Sequence, residues 1–226
     1  MEKEIGYITA LIGDPVRTNI LWTLLDGRAF TATELAVRAD TSPQNISMHL
    51  AKLVNANLLN VERQGRHKYY KLSTPEVAHV IESIGSLIPD GKRKEIVDHA
   101  TNTSIRYCRT CYDHLAGKVG VILTEKLEQL KIIELHSSTY NLTKKGNFFF
   151  SELGIDVDTL KSKRRSFARP CLDWSERKYH LAGSLGAAFL DKMLSMDYFR
   201  RVKGSRAIVV TSKGQSDLYN KLKITV

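Results

Sequence analysis

The spacing of apolar and polar positions changes several times along the chain, and each change marks an element. Residues 3–26 carry a helical pattern, with Asp14-Pro15 as a start signal inside it. There the carboxylate caps free N–H groups and proline takes the first turn. Ile20, Leu21, Leu24 and Leu25 recur at helical spacing until Asp26-Gly27 breaks the run. Thr31-Ala32-Thr33-Glu34 is a capping box that opens a short helix through Leu35, Ala36 and Val37. After a turn at Asp40-Thr41, Ser42-Pro43 again pairs a cap with a proline, and the next helix carries Ile46, Leu50, Leu53 and Val54 on one stripe. Beyond Asn55-Ala56-Asn57 the period drops to two. Leu59 and Val61 alternate with polar residues, Gln64-Gly65 turns the chain, and Lys68-Tyr69-Tyr70-Lys71-Leu72 runs back, which is a β-hairpin. Residues 75–88 return to a helical stripe of Val77, Val80, Ile81, Ile84, Leu87 and Ile88.

The second half repeats itself. His114-Leu115-Ala116-Gly117-Lys118-Val119-Gly120 recurs 66 residues later as His180-Leu181-Ala182-Gly183-Ser184-Leu185-Gly186, and Thr143-Lys144-Lys145-Gly146 recurs as Thr211-Ser212-Lys213-Gly214. Each copy reads as a helix, a short amphipathic segment, a small hairpin (around Ile132–Leu142 and Ala207–Thr211) and a further helix. Residues 156–178 join the copies, and Lys161–Arg165 make the joint very basic. The predicted fold is therefore mainly α with small β-hairpins, an α+β chain. A winged helix-turn-helix over 1–90 precedes a helical C-terminal domain over 91–226, built of two winged-helix-like repeats at about 105–155 and 171–226.

Composition narrows the class. The 226 residues are 42% hydrophobic, which fits a globular chain and excludes a disordered or fibrous one. No apolar run approaches the roughly 18 residues of a membrane span, and Met1-Glu2-Lys3-Glu4 lacks the basic and apolar regions of a secretory signal. Three cysteines make no disulfide framework and point to the cytoplasm. The net charge of +10 points to a polyanionic partner, nucleic acid before membrane. Residues 1–84 hold nine Lys/Arg and nine Asp/Glu, however, so the excess lies wholly beyond them. Local pattern, not net charge, must identify the reader.

That pattern lies in the helix from Pro43 and the hairpin after it. At 100° per residue, Ile46, Leu50 and Leu53 share one side, Gln44, Met48 and Lys52 face the other, and Asn45 and Ser47 flank them. Gln and Asn suit a bidentate pair with adenine, Ser bonds base edge or phosphate, and Lys neutralises phosphate. Ser42 caps this helix and belongs to the same surface, whereas His49 lies nearer the buried edge. Arg63, Arg66, His67 and Lys68 surround Gly65 and give the hairpin the basic tip that a wing needs to follow the DNA backbone or minor groove.

Gly13-Asp14-Pro15-Val16-Arg17-Thr18-Asn19-Ile20-Leu21, Glu34-Leu35-Ala36, Ser47-Met48-His49-Leu50-Ala51-Lys52-Leu53 and Gly65-Arg66-His67-Lys68-Tyr69-Tyr70 together resemble the ArsR/SmtB winged-helix repressors over about residues 5–88. The resemblance implies a homodimer formed through the first and last helices of the domain. It also implies one recognition helix per half-site of an inverted-repeat operator in double-stranded DNA, and repression relieved by an effector. Pro43-Gln44-Asn45 departs from the Gln-Ser or Gln-Thr frequent in that family, which alters the base sequence read. The family's usual metal sites are missing: Glu34-Leu35-Ala36-Val37-Arg38 has no thiols, and the last helix offers His79 and Glu76 without a matching pair. The C-terminal Asp-His-Leu-Ala-Gly and Cys-Leu-Asp-Trp segments resemble long-chain regulators of this type, which implies a fold and no effector.

All three cysteines lie in Cys108-Arg109-Thr110-Cys111-Tyr112-Asp113-His114 and Cys171-Leu172-Asp173. If the repeat makes His114 and His180 equivalent, Cys111, His114, Cys171 and His180 supply four ligands for tetrahedral zinc or another thiophilic metal. Two other readings stay open: a redox-sensing Cys111–Cys171 disulfide, and buried thiols with anchoring histidines. The Gly117/Gly120 and Gly183/Gly186 pairs fail the phosphate-loop fingerprint and read as sites of close helix packing. Tyr107, Tyr112, Trp174 and Tyr179 with nearby arginines suggest a pocket for an acidic organic effector or, more simply, an aromatic core edged by arginine. An enzyme reading, with Cys108 or Cys111 as nucleophile and His114 as base, lacks an orienting third group. The sequence thus predicts a cytoplasmic, sequence-specific transcriptional regulator with no membrane partner. The alternative is an architectural DNA binder that uses the basic C-terminal half without sequence preference.

Overall fold

The computed structural model describes residues 1–89 and 103–226; the expected domain boundary at 90/91 lies outside the described residues. The chain divides into two compact units, Met1–Asn102 and Thr103–Val226.

In the first unit the single helical run expected over 3–26 is two helices, α1 (Glu2–Ile12) and α2 (Pro15–Thr23), followed by a 3-10 turn at Leu24–Asp26. Asp14 accepts from the Arg17 backbone N–H at 3.0 Å and starts α2. The Arg17 side chain folds back onto the end of α1, donating from Nε to the Leu11 carbonyl at 2.7 Å and from Nη2 to Ala10 at 3.0 Å. A helix end thus has its orphan carbonyls satisfied by the next helix's side chain. Strand β1 (Phe30–Thr31) leads into α3 (Ala32–Arg38) through a complete Thr31/Glu34 capping box. α4 (Pro43–Asn55) follows its Ser42 cap. Strands β2 (Leu59–Gln64) and β3 (His67–Leu72) pair antiparallel from Leu59↔Leu72 to Gln64↔His67, with β1 on the far side of β3. α5 (Pro75–Gly85) then closes on α2: its Gly85 lies so close to the Trp22 ring that a Cβ would stand 2.7 Å from it. Ile20, Leu21, Leu24, Leu25, Leu35, Ile46, Leu50 and Leu53 are fully buried and form the core of this unit.

The second unit runs α6 (Thr103–Tyr107), β4 (Arg109–Cys111), β5 (His114–Ala116), α7 (Gly117–Gln129), β6 (Ile133–His136), β7 (Thr139–Leu142) and α8 (Lys144–Glu152). It then repeats that order as α9 (Val157–Lys161), β8 (Arg169–Leu172), β9 (Tyr179–Ala182), α10 (Gly183–Ser195), β10 (Phe199–Arg201), β11 (Ile208–Val210) and α11 (Ser212–Leu222). The sequence pattern shows the second hairpin of each copy but not the first, because β4, β5 and most of β9 are buried on both faces and carry no alternation. The segment expected as a plain joint supplies α9 and β8 of the second copy.

The copies interlock reciprocally. α7 packs on β9 and α10 on β5. Ile208 N donates to Cys108 O at 2.9 Å, and Tyr140 N to Ala168 O at 3.1 Å, so each second hairpin runs beside the chain entering the other copy's first. Both copies share one core, with Phe150 and Phe189 edge-to-face at 5.6 Å. The repeated Thr-x-x-Gly motifs have a shared cause. Thr143 and Thr211 each accept from the glycine N–H at 3.0 Å. Gly146 and Gly214 then let the Ile132 and Tyr198 carbonyls pass, where a Cβ would lie 2.0 and 2.2 Å away. Among the described residues no helix is long and apolar enough to cross a membrane.

Candidate nucleic-acid interface and Cys/His cluster

Because α4 buries Ile46, Leu50 and Leu53, its opposite face is fixed in the open. Gln44, Asn45, Ser47, Met48 and Lys52 are all exposed, and Ser42 stands at the helix start, accepting from Asn45 N at 3.2 Å. The Ser47 hydroxyl donates to the Pro43 carbonyl at 3.2 Å. His49 is buried, with Nδ1 3.5 Å from Asp14 Oδ1, so it packs α4 onto the start of α2 and leaves the exposed face to the others. The wing turns in two residues, with Gly65 at φ +59° in first position, a conformation that costs glycine nothing. Arg63, Arg66, His67 and Lys68 are exposed around that tip. The Lys71–Glu62 ion pair ties the strands together further back. The four basic residues and the α4 face are borne by adjoining elements, since β2 leaves the end of α4 directly.

In the second unit, two cross-strand pairs occupy equivalent positions. Cys111 faces His114 across β4–β5, and Cys171 faces His180 across β8–β9. Partners directly opposite on an antiparallel hairpin project from the same face. The reciprocal packing sets β5 beside β9, and the four side chains meet: one ligand atom from each lies within 4.8 Å of all the others, and all four residues are buried. The rings are held from behind. His114 Nδ1 is 3.2 Å from Asp113 Oδ1, and His180 Nδ1 is 3.3 Å from Asp173 Oδ2, an ion-pair contact rather than an aligned hydrogen bond. Both Nε2 atoms therefore point inward, 3.2 Å apart. Gly120 and Gly186 admit the Leu115 and Leu181 carbonyls, from which a Cβ would stand 2.8 and 2.3 Å, and each lies against the other copy's histidine.

Two arginines brace the carboxylates. Arg165 pairs with Asp113. Arg109 and Asp173, both fully buried, bond at 3.0 Å, and Asp173 also accepts from the Gly117 backbone N–H at 2.7 Å. Burial pushes the Asp173 carboxyl up, but Arg109, His180 and Ser175 together hold it far below the usual range. Asp113 is likewise held well below that range by His114 and Arg165 against its burial. Removing one partner of a buried pair such as Arg109–Asp173 costs about 3–5 kcal/mol. Cys108 stands apart in the shared core, where burial pushes its thiol up to about 12.

The sequence pattern brings out the four Cys/His positions but not Asp113 and Asp173. The available signal is that Cys-x-Asp occurs in both copies, at Cys111-Tyr112-Asp113 and Cys171-Leu172-Asp173. The suggested aromatic pocket does not assemble as expected. Trp174 is buried with Arg109 5.0 Å over its ring, and Tyr112 is exposed on a hairpin turn. Arg106 and Tyr107 line a shallow open cleft with Lys118, Ser175 and Glu176.

Comparison with known proteins identifies relatives of this chain. A helix-turn-helix domain family matches residues 12–62. The HTH-type transcriptional regulator YdfF of Bacillus subtilis (strain 168) is 41% identical over 226 residues, the whole of both chains. The HTH-type transcriptional regulator KmtR of Mycobacterium tuberculosis is 32% identical over 71 residues, 31% of this chain and 54% of that one. Among solved structures, HlyU from Vibrio cholerae is 29% identical, covering 38% of this chain and 92% of its own, at a TM-score of 0.35. With a relative this similar along its full length, the chain belongs to the HTH-type transcriptional regulators, which are DNA-binding proteins and not enzymes.

Proposed function

We propose that this regulator is a cytoplasmic homodimer that represses transcription by reading an inverted-repeat operator, one α4 helix per half-site, and releases DNA when an effector binds. The observation that carries the reading is the exposed Gln44-Asn45-Ser47-Met48-Lys52 face beside the basic tip of the wing. Short uncharged side chains at the start of a helix let it enter the major groove, and the amides supply base readout. Arg63, Arg66, His67 and Lys68 then hold the backbone alongside. Dimerisation is supported by α5, where Val80, Ile84 and the following Leu87 recur at i, i+4 and i+7 and are exposed.

The test is anisotropy titration of an operator selected from random duplex, against a scrambled duplex, over a range of salt. Gln44→Ala is expected to cost about 1–3 kcal/mol on the selected site and nothing on the scrambled one. Arg66→Ala is expected to weaken both equally and to lower the salt slope by about one. If neither variant changes binding and removal of the C-terminal unit abolishes it, the architectural reading replaces this one.

A further inference from the structure

We propose that Cys111, His114, Cys171 and His180 bind one tetrahedral zinc ion per chain, which ties the first hairpins of the two C-terminal repeats together. This is independent of the DNA-reading proposal.

The ligand set is the first argument. Two thiols and two imidazoles in one buried cluster make the S2N2 set that selects zinc among common divalent ions. Geometry is the second. Two imidazole nitrogens bound to zinc at 2.0–2.1 Å and at the tetrahedral angle lie about 3.3 Å apart; the inward Nε2 atoms lie 3.2 Å apart. The surroundings are the third. Metal-bound histidines commonly place the other ring nitrogen against a carboxylate, which fixes the tautomer. Here both do, with Asp113 behind His114 and Asp173 behind His180. With a carboxylate behind each Nδ1, the two Nε2 atoms face each other beside two sulfurs in a buried space. A cation between them gives both nitrogens a common partner. Arg165 and Arg109 neutralise the two carboxylates, so two thiolates and two neutral imidazoles balance a divalent ion.

Four protein ligands with no open position make a structural site rather than a catalytic one. Its ligands come in one pair from each repeat, so the ion closes a contact between segments 60 residues apart in sequence.

The test uses the full chain, purified reduced and without chelator. Elemental mass spectrometry is expected to find one zinc per chain. After chelation, cobalt(II) is expected to restore one equivalent with the strong visible absorption and thiolate charge transfer of a tetrahedral S2N2 site. Cys111→Ser and Cys171→Ser are expected to lose both signals, while Cys108→Ala keeps them. Because the serine variants risk misfolding, Asp113→Asn provides a milder change on a partly exposed side chain. It is expected to retain the circular dichroism of the parent and to bind zinc 10–100-fold more weakly in competition with a chromophoric chelator. Reduced protein that contains no metal and takes up no cobalt overturns the proposal. So does native protein whose Cys111 and Cys171 are joined as a disulfide, or an Asp113→Asn variant with unchanged zinc affinity.

Discussion

Asp14 shows how much one side chain can organise. It caps α2 through the Arg17 N–H, lies 3.5 Å from the Arg17 guanidinium and faces buried His49 on α4. The Arg17 backbone bond first, then the charges of Arg17 and His49, hold its carboxyl below the ordinary 3.8 against some desolvation. A carboxylate whose pKa is lowered on folding adds stability that is present above its unfolded value and lost as the pH falls through the folded one. Asp14→Asn keeps a capping oxygen and removes only the charge. In urea melts above pH 5 the variant is expected to be less stable than the parent by about 0.3–1 kcal/mol. That difference should close as the pH is lowered below about 4, the unfolded value. A constant difference across the range would mean the charge contributes nothing.

Among the elements, the repeated helix starts are the most constrained. α8 and α11 begin at Thr-x-x-Gly because threonine caps the helix while glycine admits a crossing carbonyl. The Cβ of Gly146→Ala would lie 2.0 Å from the Ile132 carbonyl, backbone that cannot yield without moving β6. We expect this substitution to cost about 1–3 kcal/mol, and Gly214→Ala a similar amount, in thermal or urea unfolding. Gly6 on α1 has no atom within 4 Å of such a Cβ, so Gly6→Ala is expected to stabilise by about 0.5–1 kcal/mol. Equal effects at Gly146 and Gly6 would show that the crossing carbonyl is not what demands glycine.

For the whole molecule, the proposed homodimer needs an apolar face, and α5 with the residues after it offers one. Val80, Ile84 and Leu87 stay exposed on one face although Ala78, Ile81 and Gly85 of the same helix are buried. Ile84→Asp places a charge in the middle of that face. It is expected to shift the chain from dimer to monomer in sedimentation equilibrium and to reduce operator affinity, while leaving the circular dichroism of the monomer intact. A variant that stays dimeric moves the interface elsewhere.

Local interactions made part of this protein legible without its coordinates. The caps at Asp14, Thr31 and Ser42, the hairpin at Gly65 and the open face of α4 depend on residues within a few positions of each other, and a sequence carries that information directly. The split between α1 and α2 was partly masked because apolar spacing continues across the Gly13-Asp14 break. The first hairpins of the repeats left no periodic trace because their strands are mostly buried on both faces. What brings Cys111, His114, Cys171 and His180 to one point is different in kind. Each Cys–His pair is set by hairpin register, but the meeting of the two pairs depends on α7 packing over β9 and α10 over β5. The pairing of Arg109 with Asp173, 64 positions apart, likewise follows only from that exchange. The sequence by itself determined most elements of the first unit, the candidate reading surface and the four Cys/His candidates. Only the tertiary structure decided that the ligands converge, because convergence rests on long-range packing that no local pattern encodes.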